Sequence, residues 1–268
     1  MSSPATVWSY RTLIANLAQR ELKARYKKSF LGWAWSLINP AVTLGIYSVV
    51  FGVFFGSTAP TAGNGRTTSF ALFLFVGLVT WNFFAGTVNT SIASFTSSGP
   101  LLTRTYFPPE CPVVAGMATV AIQASLELVI LLGFLIAVGN VSWTALVIVP
   151  VLFLLACFAF GFGLVLGLGN IRYRDVNYLV GIGMQVLFYL TPIVYTLENP
   201  SVAKHATVVK VLRCNPMTSF VNAMRRCLWS YQLPTTGQWL LMGGSATISL
   251  VGGWWIFSRN APRVIEEL

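Results

Sequence analysis

The sequence predicts an all-α integral membrane protein: six transmembrane helices, an N-terminal amphipathic interface helix and short helices on the outer side. Of its 268 residues, 55% are hydrophobic and 9% charged, where soluble domains carry about 25% charged residues. Mean hydropathy is +0.71, and several apolar runs reach the ~20 residues a helix needs to cross about 30 Å of hydrocarbon. The net charge is +10. Its cations sit in short segments between apolar runs instead of forming one basic face, which argues for topology and anionic lipid and against nucleic acid.

The chain is organised around Arg20 to Pro40, RELKARYKKSFLGWAWSLINP, where a basic segment runs into a long apolar helix. Tyr10, Leu13, Ile14 and Leu17 recur at helical spacing. Residues 7–28 are therefore expected to lie along a membrane surface, apolar side down, with Arg20, Lys23, Arg25, Lys27 and Lys28 toward anionic headgroups. Trp33 and Trp35 mark the interface. Spans are expected at 32–55, 69–90, 111–138, 143–168, 178–197 and 239–257, in a single membrane domain without internal repeats. An even number puts both termini on one side. The gap at 56–68 holds only Arg66 and that at 139–142 no charge, whereas the gap following the first holds Arg104 and that following the second Arg172, Arg174 and Asp175. The basic gaps and both termini are accordingly assigned to the cytoplasm.

Residues 198–238 break that pattern: they are expected outside, yet hold Lys204, Lys210, Arg213, Arg225 and Arg226. VVKVLRC and SFVNAMRRCLW mix apolar and cationic residues on either side of Asn215 and Pro216. This predicts two helices too short to span, forming a cap on the membrane; the alternative is one further span.

Catalytic groups are sparse. There is one histidine and there are seven acids, with no HExxH and no GxxxxGK[ST], so no enzymatic centre and no nucleotide-binding P-loop is expected. The four cysteines lack metal-ligand spacing. Cys111 and Cys157 read as packing residues, and Cys214 and Cys227 share the outer gap, which leaves a disulfide open. Glu127, in QASLELVIL, is the one acid deep in a span. A carboxyl there is costly, so it reads either as a functional group or as a buried partner of Gln123 and Ser125. Gly163 and Gly167 form a GxxxG spacing that permits close helix approach, although glycine is frequent in membrane helices anyway. In 99–110, Gly99 and Pro100 open and Pro108 and Pro109 close a segment, LLTRTYF, of one or two helical turns. It reads as a docking knob or as a plain connection.

The opening block RELKARYKKSFLGWAWSLINPAVTLGIYSVVFGVFF, with LLTRTYFPPE, NIRYRDV, LTPIVY and NPMTSFVNAMR, resembles the membrane subunit of polysaccharide-exporting ABC transporters. This is the ABC-2 permease family of O-antigen, teichoic acid and galactan exporters, of the Wzm and TagG type, and the likeness covers nearly the whole length. The resemblance implies a homodimer joined to two separate ATPase subunits, with ATP and magnesium in the partner and no cofactor in this chain. It implies a bacterial plasma membrane location and a polyprenyl-pyrophosphate-linked glycan as substrate. It implies ATPase coupling through Leu101, Leu102, Arg104, Tyr106 and Phe107, for which Arg172, Arg174 and Asp175 are further candidates. It also implies external gate helices, whose Lys210, Arg213, Arg225 and Arg226 would meet pyrophosphate or anionic headgroups.

Because sugars present apolar CH faces, an export path suits aromatic walls. The candidates are Tyr47, Phe51, Phe54, Phe188, Tyr189 and Tyr195, with lipid contact or helix packing as the other reading. Competing functions are an ABC-2 exporter of drugs or simple lipids and, from a different class, a polytopic glycosyltransferase or acyltransferase. The last expects several acids or histidines on one interfacial face.

Overall fold

A computed structural model of the chain describes residues 4–27, 29, 31–102, 107–173, 175–197, 204 and 206–265. Among them are ten α-helices: α1 (Pro4–Ser9), α2 (Arg11–Tyr26), α3 (Trp35–Tyr47), α4 (Phe70–Leu102), α5 (Glu110–Ala137), α6 (Ile148–Arg172), α7 (Val176–Tyr189), α8 (Ala206–Cys214), α9 (Pro216–Leu228) and α10 (Thr236–Ile265). The only strand-like pairing among the described residues is an isolated bridge between Thr58 and Ser69. This all-α membrane architecture follows from composition, because in hydrocarbon a helix satisfies every backbone donor and acceptor within its own segment.

Five segments are long and apolar enough to span: Trp35–Phe54, Phe70–Phe95, Glu110–Ala137, Trp143–Arg172 and Thr236–Ala261. The expected span at 178–197 is instead the 14-residue α7, about 21 Å long at 1.5 Å per residue. An irregular turn follows it, with Thr191 and Ile193 fully buried. The expected second span at 69–90 continues as α4 to Leu102, roughly 18 Å further. Gly99 and Pro100 therefore do not open the following segment; they lie inside the helix.

α4 is the core: 83% of its spanning window is buried, against 11% for Trp35–Phe54. Small residues set the approach of its neighbours. A Cβ on Gly163 would meet the Ser91 side chain, one on Gly167 the Phe95 ring and one on Gly116 the Thr90 and Ser94 side chains. The Gly163/Gly167 pair thus seats α6 on α4. A second seam was not singled out by spacing: Gly161 of α6 and Gly253 of α10 meet backbone to backbone, with Ser249 Oγ donating to the Phe158 carbonyl at 2.7 Å. Without that Cβ-free contact the two axes could not come so close.

α3 is held loosely. Gly32, at φ +50°, reverses the chain ahead of a tight 3₁₀ turn (Gly32–Ala34). Pro40 lies inside the helix, which widens into a π-helical stretch at Ser48–Phe54. Leu37, Val42, Ile46, Val49, Val53, Phe54 and Phe55 stay exposed, as do Tyr178, Leu179, Ile182, Val186 and Tyr189 of α7.

The N-terminal helices differ from expectation in one respect. Their apolar stripe does not face away from the protein: Val7, Leu13, Ile14, Leu17 and Ala18 pack on Phe107, Cys111, Val114, Ala115 and Ala118 at the start of α5. Arg20, Lys23 and Lys27 lie on the exposed side. Phe95, Val113, Leu168, Phe257 and Ala261 cluster at this same end, so the N-terminal helices and the end of α10 share one face of the bundle. The opposite end is tied by Asn140, whose Nδ2 donates to the carbonyls of Leu228 (3.1 Å) and Trp229 (3.2 Å). Its Oδ1 accepts from the Asn64 amide at 3.2 Å, and Trp229 Nε1 donates to the Pro60 carbonyl at 2.8 Å.

Candidate functional site

The 198–238 segment supplies two short helices separated by Asn215 and Pro216, as its pattern predicts, but α9 is no surface element. Asn215 caps it by accepting from the Met217 amide at 3.0 Å, with Pro216 at the first helical position. Asn215 Nδ2 also reaches the Leu190 carbonyl (3.2 Å) and Thr191 Oγ1 (3.1 Å), pinning α9 to the broken end of α7. Met217, Phe220, Val221, Ala223, Met224, Cys227 and Leu228 are all buried.

Arg225 and Arg226, adjacent in sequence and grouped as gate cations, have different surroundings. Arg225 is only 5% exposed. Its Nη1 and Nη2 donate to the carbonyls of Pro192 (2.6 Å) and Ile193 (2.5 Å), and its guanidinium lies 3.9 Å from the Phe73 ring centroid. It thus satisfies carbonyls that the break after α7 leaves without helical donors, a fork geometry specific to arginine. Burial lowers its pKa to about 9, which still leaves it charged at neutral pH. Arg226 is partly exposed, its Nε donating to the Leu233 carbonyl at 2.9 Å. Lys210 and Arg213 of α8 are exposed.

Arg213, Arg225 and Arg226 line one cavity of about 700 Å³ between α9 and the start of α10, with Thr218, Ser219 and Asn222. Arg225 Nε and Thr218 Oγ1 are buried there without hydrogen-bond partners, and no carboxyl lines the cavity among the described residues. Three guanidinium groups, hydroxyls and an amide suit an anionic group.

The other basic gaps lie between α4 and α5 and between α6 and α7. Phe107 is buried against Val7 and Cys111, not displayed. Arg172 is exposed beside the Tyr173 ring, 5.7 Å from its centroid, and Asp175 is exposed at the start of α7. α4 reaches Leu101 and Leu102 as helix; Arg104, Tyr106 and Arg174 lie outside the described residues.

The six aromatic candidates have different surroundings. Phe51 packs on Tyr47 (5.9 Å) and Phe70 (5.1 Å), and Phe188 on Trp81 (5.4 Å). Phe54 and Tyr189 are 75% and 64% exposed, and Tyr195 donates to the Tyr189 carbonyl at 2.9 Å. Glu127 is buried, accepting from Asn82 Nδ2 of α4 at 3.2 Å. Gln123 lines the same pocket, whereas Ser125 turns back to the Ala121 carbonyl of its own helix at 2.8 Å. All four cysteines are free thiols, Cys111 and Cys227 buried, Cys157 half-buried and Cys214 exposed. Among the described residues no three His, Cys, Asp or Glu side chains gather to hold a metal ion.

The chain is a multi-pass helical membrane bundle with an arginine-clamped break and a cationic pocket at one end and exposed cations at the other. The profile of the ABC-2 type transporter family matches residues 12–229. The chain belongs to that family and is a transport component whose family implies an ATP-binding partner. It is 27% identical over 267 residues to the O-antigen export system permease protein RfbA of Myxococcus xanthus, covering 98% of this chain and 97% of that protein. An RfbA of Klebsiella pneumoniae is 27% identical over 190 residues, covering 69% and 70%. The polysialic acid transport protein KpsM of Escherichia coli is 23% identical over 198 residues, covering 70% and 72%.

Proposed function

We propose that this chain is the transmembrane subunit of an ATP-driven exporter moving a polyprenyl-pyrophosphate-linked polysaccharide across the bacterial plasma membrane. The observation that carries this reading is the end-to-end similarity to an O-antigen export permease, 98% of one chain against 97% of the other. Two copies would assemble into one transporter, with the exposed apolar faces of α3 and α7 available to a second copy or to lipid. Each copy would engage one ATPase subunit, which carries ATP and magnesium, through the 101–107 and 172–175 gaps; Phe107, packed on Val7, ties the first of these to the N-terminal helices. Both termini are then cytoplasmic, and the α8–α9 cap faces outward. Its exposed cations Lys210 and Arg213, with the partly exposed Arg226, attract the phosphates of the carrier or anionic headgroups. Arg225 has a different part: it holds the α7 break against α9 and so fixes the external mouth.

Conditional depletion tests this. Glycan still attached to its lipid carrier should accumulate on the cytoplasmic side while surface glycan falls. Unchanged surface glycan after the protein has gone would overturn the reading.

A further inference from the structure

A second cavity, of about 390 Å³, lies between α3, α4 and α5, within the ~300–1,000 Å³ range of small-molecule sites. Its walls carry a polar register on otherwise apolar helices. Trp35, Asn39 and Thr43 recur every four residues along one face of α3, Gln123 and Glu127 are four apart on α5, and Asn82 closes the α4 side. Glu127 is 8% exposed and accepts from Asn82 Nδ2 at 3.2 Å; Gln123 Nε2 points to the Ser36 carbonyl at 3.4 Å. Trp35 is 42% exposed at the start of α3, next to the interfacial α2, so the cavity opens near that membrane boundary.

Polar side chains inside a span are costly and usually face a partner or a watery path. Pairing Asn82 with Glu127 accounts for those two, but not for an amide and a hydroxyl from the loosely packed α3 turned to the same space. The lining also selects a chemistry. It has amide and hydroxyl donors and acceptors, one carboxyl, one indole and the apolar Pro40, Phe75 and Leu78, but no cationic side chain among the described residues. A phosphate has nothing here to neutralise it, and an alkyl chain would strand the polar groups. A neutral polyol can use hydroxyls against the amides and carboxyl and a CH face against the indole.

We propose that the α3–α4–α5 cavity is a binding site for an uncharged sugar ring at the α2-side membrane interface, separate from the cationic pocket at the opposite end. The site deepens the export reading and rests on it for its biological meaning, but its chemistry can be tested without export. The transporter complex in lipid nanodiscs is photolabelled with a diazirine-bearing decyl hexoside and, in parallel, with a diazirine-bearing decyl phosphocholine of equal chain length. Labelled peptides are read by mass spectrometry. The hexoside is expected to label residues 35–43 or 123–127 at least fivefold more than the phosphocholine does. Asn39→Leu with Thr43→Val on the lipid-accessible helix should reduce that labelling about tenfold, the scale of one or two lost hydrogen bonds, at unchanged recovery of complex. Glu127→Gln should lower it in the same direction. Equal labelling by both probes, or labelling unchanged in the α3 double variant, would overturn the site and leave only a helix-pairing role for Glu127 and Asn82. If depletion leaves export untouched while hexoside labelling persists, the export reading falls and the site stands; the converse pair of results sinks the site alone.

Discussion

Gly253 offers the sharpest test of how the bundle is held. A Cβ built there lies 2.8 Å from the Gly161 Cα and 2.7 Å from its carbonyl carbon, where carbon atoms normally rest about 3.5–4.0 Å apart. The α6 and α10 backbones would have to separate by about 1 Å, and a gap of that size forfeits roughly a quarter to a half of each dispersion contact along the seam. Overpacking of this kind costs about 1–3 kcal/mol, and the Ser249 to Phe158 hydrogen bond, 2.7 Å long, adds about 0.6 kcal/mol on the membrane scale. Alanine returns up to about 1 kcal/mol as a better helix former, so Gly253→Ala should lose about 1–2 kcal/mol and Gly253→Leu considerably more. Reversible unfolding in mixed dodecyl maltoside and SDS micelles reads this as an earlier midpoint. Gly252→Ala and Gly133→Ala, where an added Cβ meets nothing within 4 Å, should unfold with the wild type or slightly later. Combining Gly161→Ala with Gly253→Ala should cost less than the sum, because one separation relieves both. A Gly253→Ala protein with the wild-type midpoint would refute the close seam.

Three further outcomes follow from the α8–α9 end. Arg225→Met should lower folded yield and stability by roughly 3 kcal/mol, since it leaves the Pro192 and Ile193 carbonyls buried without donors; Arg226→Gln should spare the fold and reduce surface glycan, with yield and glycan immunoblots separating the two. Asn140→Ala removes the bonds to Leu228, Trp229 and Asn64, so backbone amides at 56–69 and 228–232 should exchange about tenfold faster by hydrogen–deuterium exchange. A maleimide at pH 8 should modify Cys214 and spare Cys227, because Cys227 is buried and its thiol is pushed up to about 11, leaving on the order of one thiolate per thousand; intact-mass spectrometry counts the adducts.

Much of this architecture was legible in the sequence because hydrocarbon imposes a simple rule on length and polarity. The long apolar runs gave five spanning segments, and Asn215-Pro216 marked the separation of two short helices. The fifth run, 178–197, did not become a full span, because hydropathy cannot see that Arg225, 33 residues after Pro192, supplies donors to a break in the chain. The same pairing explains why Arg225 read as a surface cation: sequence shows its charge but not the carbonyls and the Phe73 ring around it. The α2 stripe was visible, but whether lipid or α5 covered it was not, since both are apolar. Asn82, a lone amide in FVGLVTWNFF, was the available signal for a partner to Glu127. Its helix had to be known to face α5 before the signal meant anything. The Gly161–Gly253 contact had no signal beyond glycine frequency.

The central claim, that this chain works as the membrane half of an ATP-driven exporter, is tested most directly by purifying the tagged protein in mild detergent from its native cells. We predict an equimolar partner carrying a Walker A motif, with ATPase activity that disappears from the purified fraction when residues 101–107 are replaced by a glycine–serine linker. A protein that is recovered alone, folded and without associated ATP hydrolysis would contradict the account.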